Sequence, residues 1–370
     1  MAGTDVTIDS VHFRPLFSQG QPNCDIKLGD GAQDVRINDN NFDGYAGPYS
    51  AICGADDSSV GGVEYAQHAR GVLITNNFFK GYSRPLYFHS IDNVTIQGNI
   101  IRDTLRDAIR LRENDGYTLI NGNHFINIGN DPASMETQDA VDTFWSGYKL
   151  IISDNVVRGT SGVGFDIKGV APDNMSGSHN IIIANNQIAD TLYSAIVFHG
   201  DFETGSPTHS LLVEGNVIEN TSTSAILGNA AIWIKGAARY ITLANNQVVS
   251  NKNRGITVQT RSGQFDGSVK GLQVLGNTVV NNGIATEPSS IGIYIQGVDG
   301  LTLSNNIVTN DSQLPNPEQK FGIYITPQQT ADNAIIRNNI SRCHAYSNIT
   351  TVGRSLDPAD NLTAASSGCH

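Results

Sequence analysis

The sequence predicts an all-β fold, a right-handed parallel β-helix of roughly twelve turns, on three observations. Short apolar alternations recur along the chain, an Asn follows each of them, and the composition suits strands and turns. Glycine is abundant, with 38 residues, and charged residues make up only 16% of the chain. This composition favours short strands over helices. We therefore expect very little helix.

The first element is an apolar strand that ends in Asn, Gly or Asp and then a second Asn. This last Asn recurs at Asn40, Asn77, Asn99, Asn123, Asn155, Asn186, Asn216, Asn246, Asn277, Asn306 and Asn339. The spacing varies from 22 to 37 residues, which indicates a constant unit carrying loops of variable length. An Asn can adopt left-handed backbone angles, and its amide can bond to the same amide one turn away. We expect these residues to form a ladder.

The second element is another alternating run in each unit, such as Ile109-Arg110-Leu111 and Phe165-Asp166-Ile167. Aligned on their inward residues, these runs predict two outward columns with a strand spacing of about 4.8 Å. The first column is Lys27, Cys53, Tyr87, Arg110, Asp142, Asp166, Val197, Trp233, Thr257, Tyr294 and Tyr324. The second is His89, Arg112, Phe144, Lys168, His199, Lys235, Gln259, Gln296 and Thr326. Charge is concentrated in the middle turns and aromatic residues flank it, which indicates a binding groove.

Residues 1–345 are expected to form one β-helix domain, with 346–370 as a tail along its outside. In the first unit Val11 stands where the others have Asn. Loops 54–70 and 200–210 are expected to wall the groove. The cysteines lack zinc-site spacing, so we expect free buried thiols, with a Cys343–Cys369 disulfide as the alternative.

The net charge of −12 argues against a nucleic-acid partner, because phosphate binding needs an excess of basic residues. No apolar run approaches the roughly 20 residues needed to cross a membrane. The sequence makes no prediction of oligomeric state. A groove that offers cations, carboxylates and aromatic rings suits a linear polymer, and its cations favour an acidic polysaccharide.

These strands resemble those of right-handed β-helix polysaccharide lyases and the related mannuronan C5-epimerases. Gly164-Phe165-Asp166-Ile167-Lys168 is similar to the epimerases' Gly-Phe-Asp-Pro-His segment, with Asp166 on their catalytic Asp and Lys168 on their His. The same segment looks like the Asp-rich turns of family 9 pectate lyases, whose base is a Lys near calcium-binding Asp residues. The segment 108–113 is similar to the strand of alginate and chondroitin lyases that carries their Lys base, a place held here by Arg112.

The resemblance implies removal of the C5 proton of a uronic acid, followed by β-elimination in a lyase. We expect Lys168 to be the base, its pKa lowered by burial and by cations such as Lys235. Arg110 and Arg112 are expected to hold the substrate carboxylate, since Arg is a poor base. Asp142 and Asp166 are expected to bind calcium or to orient Lys168, and Asp139 is expected to be a third calcium ligand. His89 and His199 are further acid or base candidates. The expected substrate contacts are Tyr87, Trp233, Lys235, Asp201 and Glu203.

Three alternatives to a lyase remain open from the sequence: a uronate C5-epimerase, a β-helix glycoside hydrolase and a non-catalytic carbohydrate-binding module of the tailspike kind. In the hydrolase, Asp142 and Asp166 would be the acid and base. The polygalacturonase segments Asn-Thr-Asp and Gly-His-Gly are absent from the sequence. No organic cofactor is expected, and an acidic-polysaccharide substrate favours an extracellular or periplasmic location.

Overall fold

The structure is a computed structural model that describes most of the chain. The described residues are 4–14, 24–47, 50–54, 68–114, 116–130, 138–146, 148–169, 178–200, 208–223, 230–259, 269–283, 290–310, 319–326, 334–344, 346–352 and 360–364. The chain divides into two compact units, Met1–Lys168 and Gly169–His370. Each is built from three parallel sheets, here named A, B and C, to which successive turns contribute one strand each.

In the first unit, each sheet contains six described strands. Those of sheet A are Thr7–Asp9, Arg36–Asn38, Ala69–Thr75, Ile91–Gln97, Tyr117–Asn121 and Lys149–Ser153. Those of sheet B are His12–Phe13, Asn41–Gly47, Phe78–Tyr82, Ile100–Arg102, His124–Ile128 and Val156–Thr160. Those of sheet C are Cys24–Lys27, Ser50–Cys53, Leu86–His89, Ile109–Asn114, Val141–Ser146 and Phe165–Lys168.

The second unit repeats the same order of strands. Those of sheet A are His179–Ala184, Thr208–Glu214, Ala238–Ala244, Val269–Leu275, Val298–Ser304 and Ala334–Arg337. Those of sheet B are Gln187–Thr191, Val217–Glu219, Gln247–Val249, Thr278–Val280, Ile307–Thr309, Ile340–Arg342 and Leu362–Ala364. Those of sheet C are Ile196–His199, Ala230–Lys235, Arg254–Gln259, Ile291–Gln296, Phe321–Thr326 and Ser347–Thr351.

The fold is a right-handed parallel β-helix of about twelve turns, as the sequence predicts, with 12, 13 and 12 strands in sheets A, B and C. None of the described residues lies in an α-helix. Within this part of the chain no helix is long and apolar enough to cross a membrane. The two predicted strands of each unit correspond to sheets A and C. The strands of sheet B were not predicted separately, because eight of the thirteen have only two or three residues and so carry little periodicity.

The Asn ladder is present and buried at the corner between sheets A and B. In Asn216, Oδ1 accepts hydrogen bonds from the backbone N–H of Asn186, at 3.0 Å, and from its Nδ2, at 2.9 Å. Asn216 Nδ2 donates to the Ile183 carbonyl at 2.9 Å and to Asn246 Oδ1 at 2.9 Å. The amides are fully satisfied, so burying them costs little. In the first unit Val11 begins the ladder, since its N–H donates to Asn40 Oδ1.

The left-handed backbone conformation lies one residue earlier than predicted. It belongs to the residue before each ladder Asn, for example Asp39 with φ 53°, Asn76 with φ 55° and Gly98 with φ 67°. This position tolerates only Asn, Asp or Gly readily. The ladder Asn is required instead for its side-chain amide. The residue before it therefore varies among Asn, Asp and Gly, whereas the ladder Asn itself does not vary.

The interior is filled by stacked apolar columns in every sheet. In the first unit Phe13 and Phe42 stack with ring centroids 4.5 Å apart, and Phe42 stacks on Phe79 at 4.7 Å. Phe42 and Phe79 are fully buried, as are Ile37 and Ile74 of sheet A. The alternation that predicted the strands is thus the alternation between this core and the outer faces.

Both outward columns on sheet C have the predicted register within each unit. In the first unit Tyr87 pairs with Arg110, Arg110 with Asp142, and Asp142 with Asp166. The second column runs in the same way from His89 to Lys168. In the second unit the columns beginning at Val197 and His199 also follow the prediction.

The prediction of free thiols is wrong. Cys24 and Cys53 form a disulfide between the first two strands of sheet C, with their Cα atoms 6.0 Å apart. The two strands are neighbours in the parallel sheet, with Cys24 opposite Ser50 and Cys53 opposite Lys27. Cys343 is disulfide-bonded as well. The alternative partner Cys369 lies outside the described residues.

The segment 346–370, expected to lie outside the β-helix, contributes two strands to the sheets. Ser347–Thr351 pairs with Phe321–Thr326 in sheet C, and Leu362–Ala364 pairs with Ile340–Arg342 in sheet B. The ladder continues with them, since Asn339 Nδ2 donates to Asn361 Oδ1 at 2.9 Å. The Ser- and Thr-rich composition concealed these strands.

Candidate active site

The candidate site lies on the outer face of sheet C in the first unit, on four neighbouring strands from Leu86–His89 to Phe165–Lys168. The parallel register places Arg110, Asp142 and Asp166 on successive strands, roughly 5 Å apart. A contiguous charged cluster results from residues that are far apart in sequence.

Lys168 is the centre of this cluster. Its ammonium Nζ contacts Asp142 Oδ1 and lies 2.5 Å from Asp166 Oδ2. Burial disfavours the ammonium, but the charges of Asp166, Asp142 and Asp139 outweigh this and raise the pKa of Lys168 above its ordinary value. The predicted lowering of the Lys168 pKa is therefore wrong. Near neutral pH this side chain is a proton donor and not a resting base.

The two predicted arginine clamps also contact carboxylates. Arg112 Nη2 donates a hydrogen bond to Asp142 Oδ2 at 3.1 Å, and its guanidinium lies 5.3 Å from the centroid of the Phe144 ring. Arg110 Nη1 lies 3.4 Å from Asp107 Oδ2. Arg110 Nε lies 3.4 Å from Asp142 Oδ2 but without the alignment of a hydrogen bond. Both arginines keep part of their guanidinium at the surface.

Two carboxylates lie beneath this layer and retain their protons more readily than usual. Burial, followed by the charges of Asp166, Asp107 and Asp142, raises the pKa of Asp139 well above its ordinary value. Asp139 Oδ1 accepts a hydrogen bond from the Val163 N–H at 2.7 Å. Burial and the Asp142 charge likewise raise the pKa of Asp107.

Asp107 and Arg84 belong to the cluster although sequence reasoning missed them. Arg84 Nε donates to Asp107 Oδ2 at 3.1 Å, and Asp107 Oδ1 accepts the Asp139 N–H at 3.0 Å. A signal was present in the sequence, because Asp107-Ala108-Ile109-Arg110 repeats one turn later as Asp139-Ala140-Val141-Asp142. The repeat places both aspartates at the same corner of consecutive turns.

The layering determines which charges a ligand meets. The side chains of Lys168, Arg110 and Arg112 are 26%, 22% and 14% exposed. Those of Asp142 and Asp166 are only 6% and 9% exposed. The solvent side of the cluster is thus cationic, and the carboxylates form its floor.

The remaining predicted residues are distributed more widely. Tyr87 is half-buried beside Arg84, whose guanidinium lies 6.0 Å from its ring centroid. His89 is buried, with Nε2 3.6 Å from Glu113 Oε2 and Nδ1 3.1 Å from Ser90 Oγ. Three strand spacings, about 14 Å, separate His89 from Lys168 in the second column. His89 is therefore remote from Lys168, although it pairs with Arg112 on the neighbouring strand.

The other candidates belong to the second unit or lie outside the described residues. His199 pairs with Lys235 in the second column of that unit. Lys235 Nζ lies 4.2 Å from the centroid of the Trp233 ring. Asp201 and Glu203, together with most of the predicted loop walls, lie outside the described residues.

The three carboxylates proposed to bind calcium do converge, with one oxygen of each within 4.8 Å of the others. Hard oxygen donors at this spacing suit calcium. However, the ammonium of Lys168 already contacts Asp142 and Asp166, and Asp139 favours its protonated form. The residues therefore do not fit a resident calcium ion unless Lys168 moves away, and we assign calcium no step in the reaction.

Comparison with known proteins agrees with the observed fold. The family described as "Right handed beta helix region" matches residues 26–186. A search of the curated proteins found no match. The chain is a right-handed parallel β-helix protein.

Solved structures of the same fold have diverse functions. The surface adhesin PfbA of Streptococcus pneumoniae is similar at 13% identity and a TM-score of 0.54, over 95% of this chain and 83% of its own. A double mutant of the periplasmic alginate epimerase AlgG is similar at 11% identity and 0.54, over 94% and 78%. The catalytic unit of a GH87 alpha-1,3-glucanase from Streptomyces thermodiastaticus is similar at 17% and 0.51, over 89% and 62%. At these identities the likeness establishes the fold alone.

Proposed function

We propose that the protein is a carbohydrate-active enzyme that cleaves an acidic, uronic-acid-containing polysaccharide by β-elimination on sheet C of the first unit. The observation that carries the proposal is the cationic layer formed by Arg84, Arg110, Arg112 and Lys168 over buried carboxylates. A uronate carboxylate approaching from solvent meets this layer first. Neutralising that carboxylate makes the adjacent C5 proton more acidic.

Because Lys168 is a proton donor and not the base, the proposed mechanism differs from the one expected from the sequence. Arg110 and Arg112 hold the uronate carboxylate, and Asp166, whose side chain is more exposed than that of Asp142, accepts the C5 proton. The bond from C4 to its glycosidic oxygen breaks as the C4–C5 double bond forms. Lys168 protonates the departing oxygen and regains a proton from Asp166, which it contacts at 2.5 Å. Each proton is thereby accounted for.

An epimerase would use the same cationic layer. It would return a proton to the opposite face of C5 without breaking the chain. The similarity in fold to an alginate epimerase supports this class only at the level of architecture. The product, and not the fold, decides between the two.

A glycoside hydrolase is the second candidate, and one observation favours it. The pKa of Asp139 is raised by burial and by the nearby carboxylates of Asp166, Asp107 and Asp142, and such differences between neighbouring carboxyl groups assign acid and base roles in other enzymes. Against it, Asp139 is only 2% exposed, and one of its oxygens already accepts the Val163 N–H. A buried acid cannot readily reach a glycosidic oxygen.

The test is incubation with a panel of uronic-acid polymers, following ultraviolet absorbance and reducing ends together. Elimination yields an unsaturated, absorbing end, hydrolysis yields reducing ends without that absorbance, and epimerisation in heavy water labels C5 without cleavage. Lys168→Arg is expected to keep the ion pairs but lose about 10²–10⁴-fold in turnover, because a guanidinium does not give up its proton. Lys168→Ala should lose at least as much.

Lys149→Ala is the matched control, since it removes a lysine from sheet A of the same unit. It should leave turnover unchanged. Reducing ends without ultraviolet absorbance would indicate that the protein is a glycoside hydrolase and not a lyase. Binding of a polymer without any of the three product signals would show that the protein is a binding module. An extracellular or periplasmic location follows from such a substrate and is part of the proposal.

A further inference from the structure

Sheet C of the second unit carries a different outer face. Its first column presents Trp233, Thr257, Tyr294 and Tyr324 on four successive strands. The rings of Tyr294 and Tyr324 lie 6.0 Å apart. Among the described residues of these two outward columns there is no Asp or Glu. Aromatic rings therefore replace the carboxylates that the first unit has at the corresponding places.

Arg254 begins the strand that carries Thr257, and its guanidinium lies 4.3 Å from the centroid of the Tyr294 ring. Among the described residues no carboxylate forms a salt bridge with Arg254. Burial lowers its pKa from the ordinary value, and only Tyr294 opposes that effect. The arginines of the first unit face Asp107 and Asp142, whereas Arg254 is a largely desolvated cation without such compensation.

Three polar atoms in this region are buried without a hydrogen-bond partner. They are Arg254 Nε, Trp233 Nε1 and Thr257 Oγ1, and the Thr257 side chain belongs to a residue that is fully buried. Buried polar groups are normally paired, because leaving them unsatisfied costs free energy. Trp233 and Thr257 are direct neighbours across two strands, and Arg254 lies on the same strand as Thr257.

The donors define the ligand that would satisfy them. The N–H groups of arginine and indole can only donate, so they require an acceptor, and the uncompensated guanidinium favours a negatively charged one. The rings of Trp233 and Tyr294, which Lys235 and Arg254 approach to 4.2 and 4.3 Å, add apolar surface beside these cations. A sugar that bears a carboxylate or a sulfate group meets both requirements.

We propose that Arg254, Trp233 and Thr257, beside Tyr294, form a saccharide subsite in the second unit that binds the anionic group of an acidic sugar. The subsite is separate from the acid–base cluster of the first unit. It goes beyond the proposed function, because binding here requires no turnover.

Tryptophan fluorescence of Trp145→Phe tests the subsite, since Trp145 lies on a strand of the candidate active site and Trp233 is the other of the chain's two tryptophans. The probes are trigalacturonate, a κ-carrageenan tetrasaccharide that carries sulfate without carboxylate, and neutral galactotriose. We expect a saturable change of Trp233 emission with at least one anionic probe and none with galactotriose. A response to trigalacturonate alone assigns the group as carboxylate, and one to the carrageenan fragment alone assigns sulfate.

Arg254→Gln is expected to weaken binding of the anionic probe about tenfold or more, as loss of a charge-assisted contact does. Trp233→Phe should weaken it several-fold, because the ring remains but its N–H donor is lost; calorimetry measures this variant. Arg239→Gln is the matched control, since Arg239 lies on sheet A of the same unit. It should bind as the wild type does.

The inference is overturned if neither anionic probe changes the emission of Trp145→Phe, or if galactotriose changes it equally. It is also overturned if folded Arg254→Gln binds as tightly as Arg239→Gln. The titration of Trp145→Phe, in which Trp233 is the remaining tryptophan, decides the matter even if Arg254→Gln fails to fold. Turnover is measured separately, so inactivity on every polymer together with Arg254-dependent binding would reject the proposed function and leave this subsite standing.

Discussion

At the scale of single residues, the cluster on sheet C shows how neighbours set the protonation of a side chain. Asp139 is buried and Lys168 is partly buried, and both pKa values are raised. For the lysine, nearby carboxylates overcome the effect of burial. For the aspartate, burial and like charge act in the same direction. In one cluster, therefore, an ammonium and a carboxyl both favour their protonated forms.

Asp139→Asn is expected to stabilise the protein at neutral pH. A raised folded-state pKa means that the native state holds its proton more tightly, so this group's stabilisation is complete below the unfolded pKa, near 3.8. It is lost as the pH rises through the folded-state pKa. Asn has no charge to bury and can still accept the Val163 N–H. Thermal unfolding of both proteins from pH 3 to pH 8 measures the effect.

The melting-temperature advantage of Asp139→Asn should shrink as the pH approaches 4 and vanish below it. Asp154→Asn is the control, because Asp154 is exposed at the end of a strand of sheet A, away from the cluster. A constant difference between wild type and Asp139→Asn at all pH values would contradict the raised pKa.

Lys168 is also expected to exclude calcium from the three carboxylates. Excess chelator should then leave the wild-type melting temperature unchanged. Lys168→Met removes the ammonium and leaves Asp142 and Asp166 uncompensated, so its melting temperature should be lower and should rise with added calcium. The double variant Lys168→Met with Asp166→Asn should lose most of that response. A wild type that is destabilised by chelator would restore the original calcium assignment.

At the scale of elements, the Asn ladder is what fixes the corner between sheets A and B. Each amide binds the turn before it and the turn after it, so the residues act as a chain and not as separate caps. A second, shorter ladder in the second unit was not predicted. It runs from Thr221 through Asn251 and Asn282 to Gln319. Its members differ in residue type, so no fixed motif identifies it in the sequence.

Asn216→Leu is expected to destabilise the protein by about 3 kcal/mol, because it leaves buried partners without hydrogen bonds on both sides. Those partners include the Asn186 N–H, the Ile183 carbonyl and Asn246 Oδ1. Gln187→Leu is the control, since Gln187 is exposed on the strand that follows Asn186, and it should change stability by less than about 0.5 kcal/mol. Denaturant unfolding measures both. Equal stability of the two variants would mean that the ladder contributes nothing.

At the scale of the whole molecule, the local charge on sheet C is opposite in sign to the net charge of the chain. The chain has a net charge of −12, yet the outer face of sheet C in the first unit presents cations to solvent. In the second unit Arg254 adds a cation on an aromatic ring. Repulsion by the rest of the surface would favour a ligand that makes close contacts over one held by long-range attraction.

The sequence by itself determined the β-helix, the ladder and the register of the outward columns. These follow from period-two alternation and a repeated Asn, signals that each turn carries locally. The pairing of Arg110 with Asp142 on neighbouring strands was predictable for this reason. Asp107 could have been found in the same way, from the repeated Asp-Ala segments.

Only the tertiary structure decided the chemistry of these residues. The pKa of Lys168 depends on how closely its ammonium approaches two carboxylates, and the Cys24–Cys53 disulfide depends on side-chain directions across a turn. The lowered pKa of Arg254 likewise depends on its burial and on Tyr294, which lies on the neighbouring strand. Electrostatic energies vary steeply with distance and solvent access, and neither quantity is encoded in a local pattern of residue types.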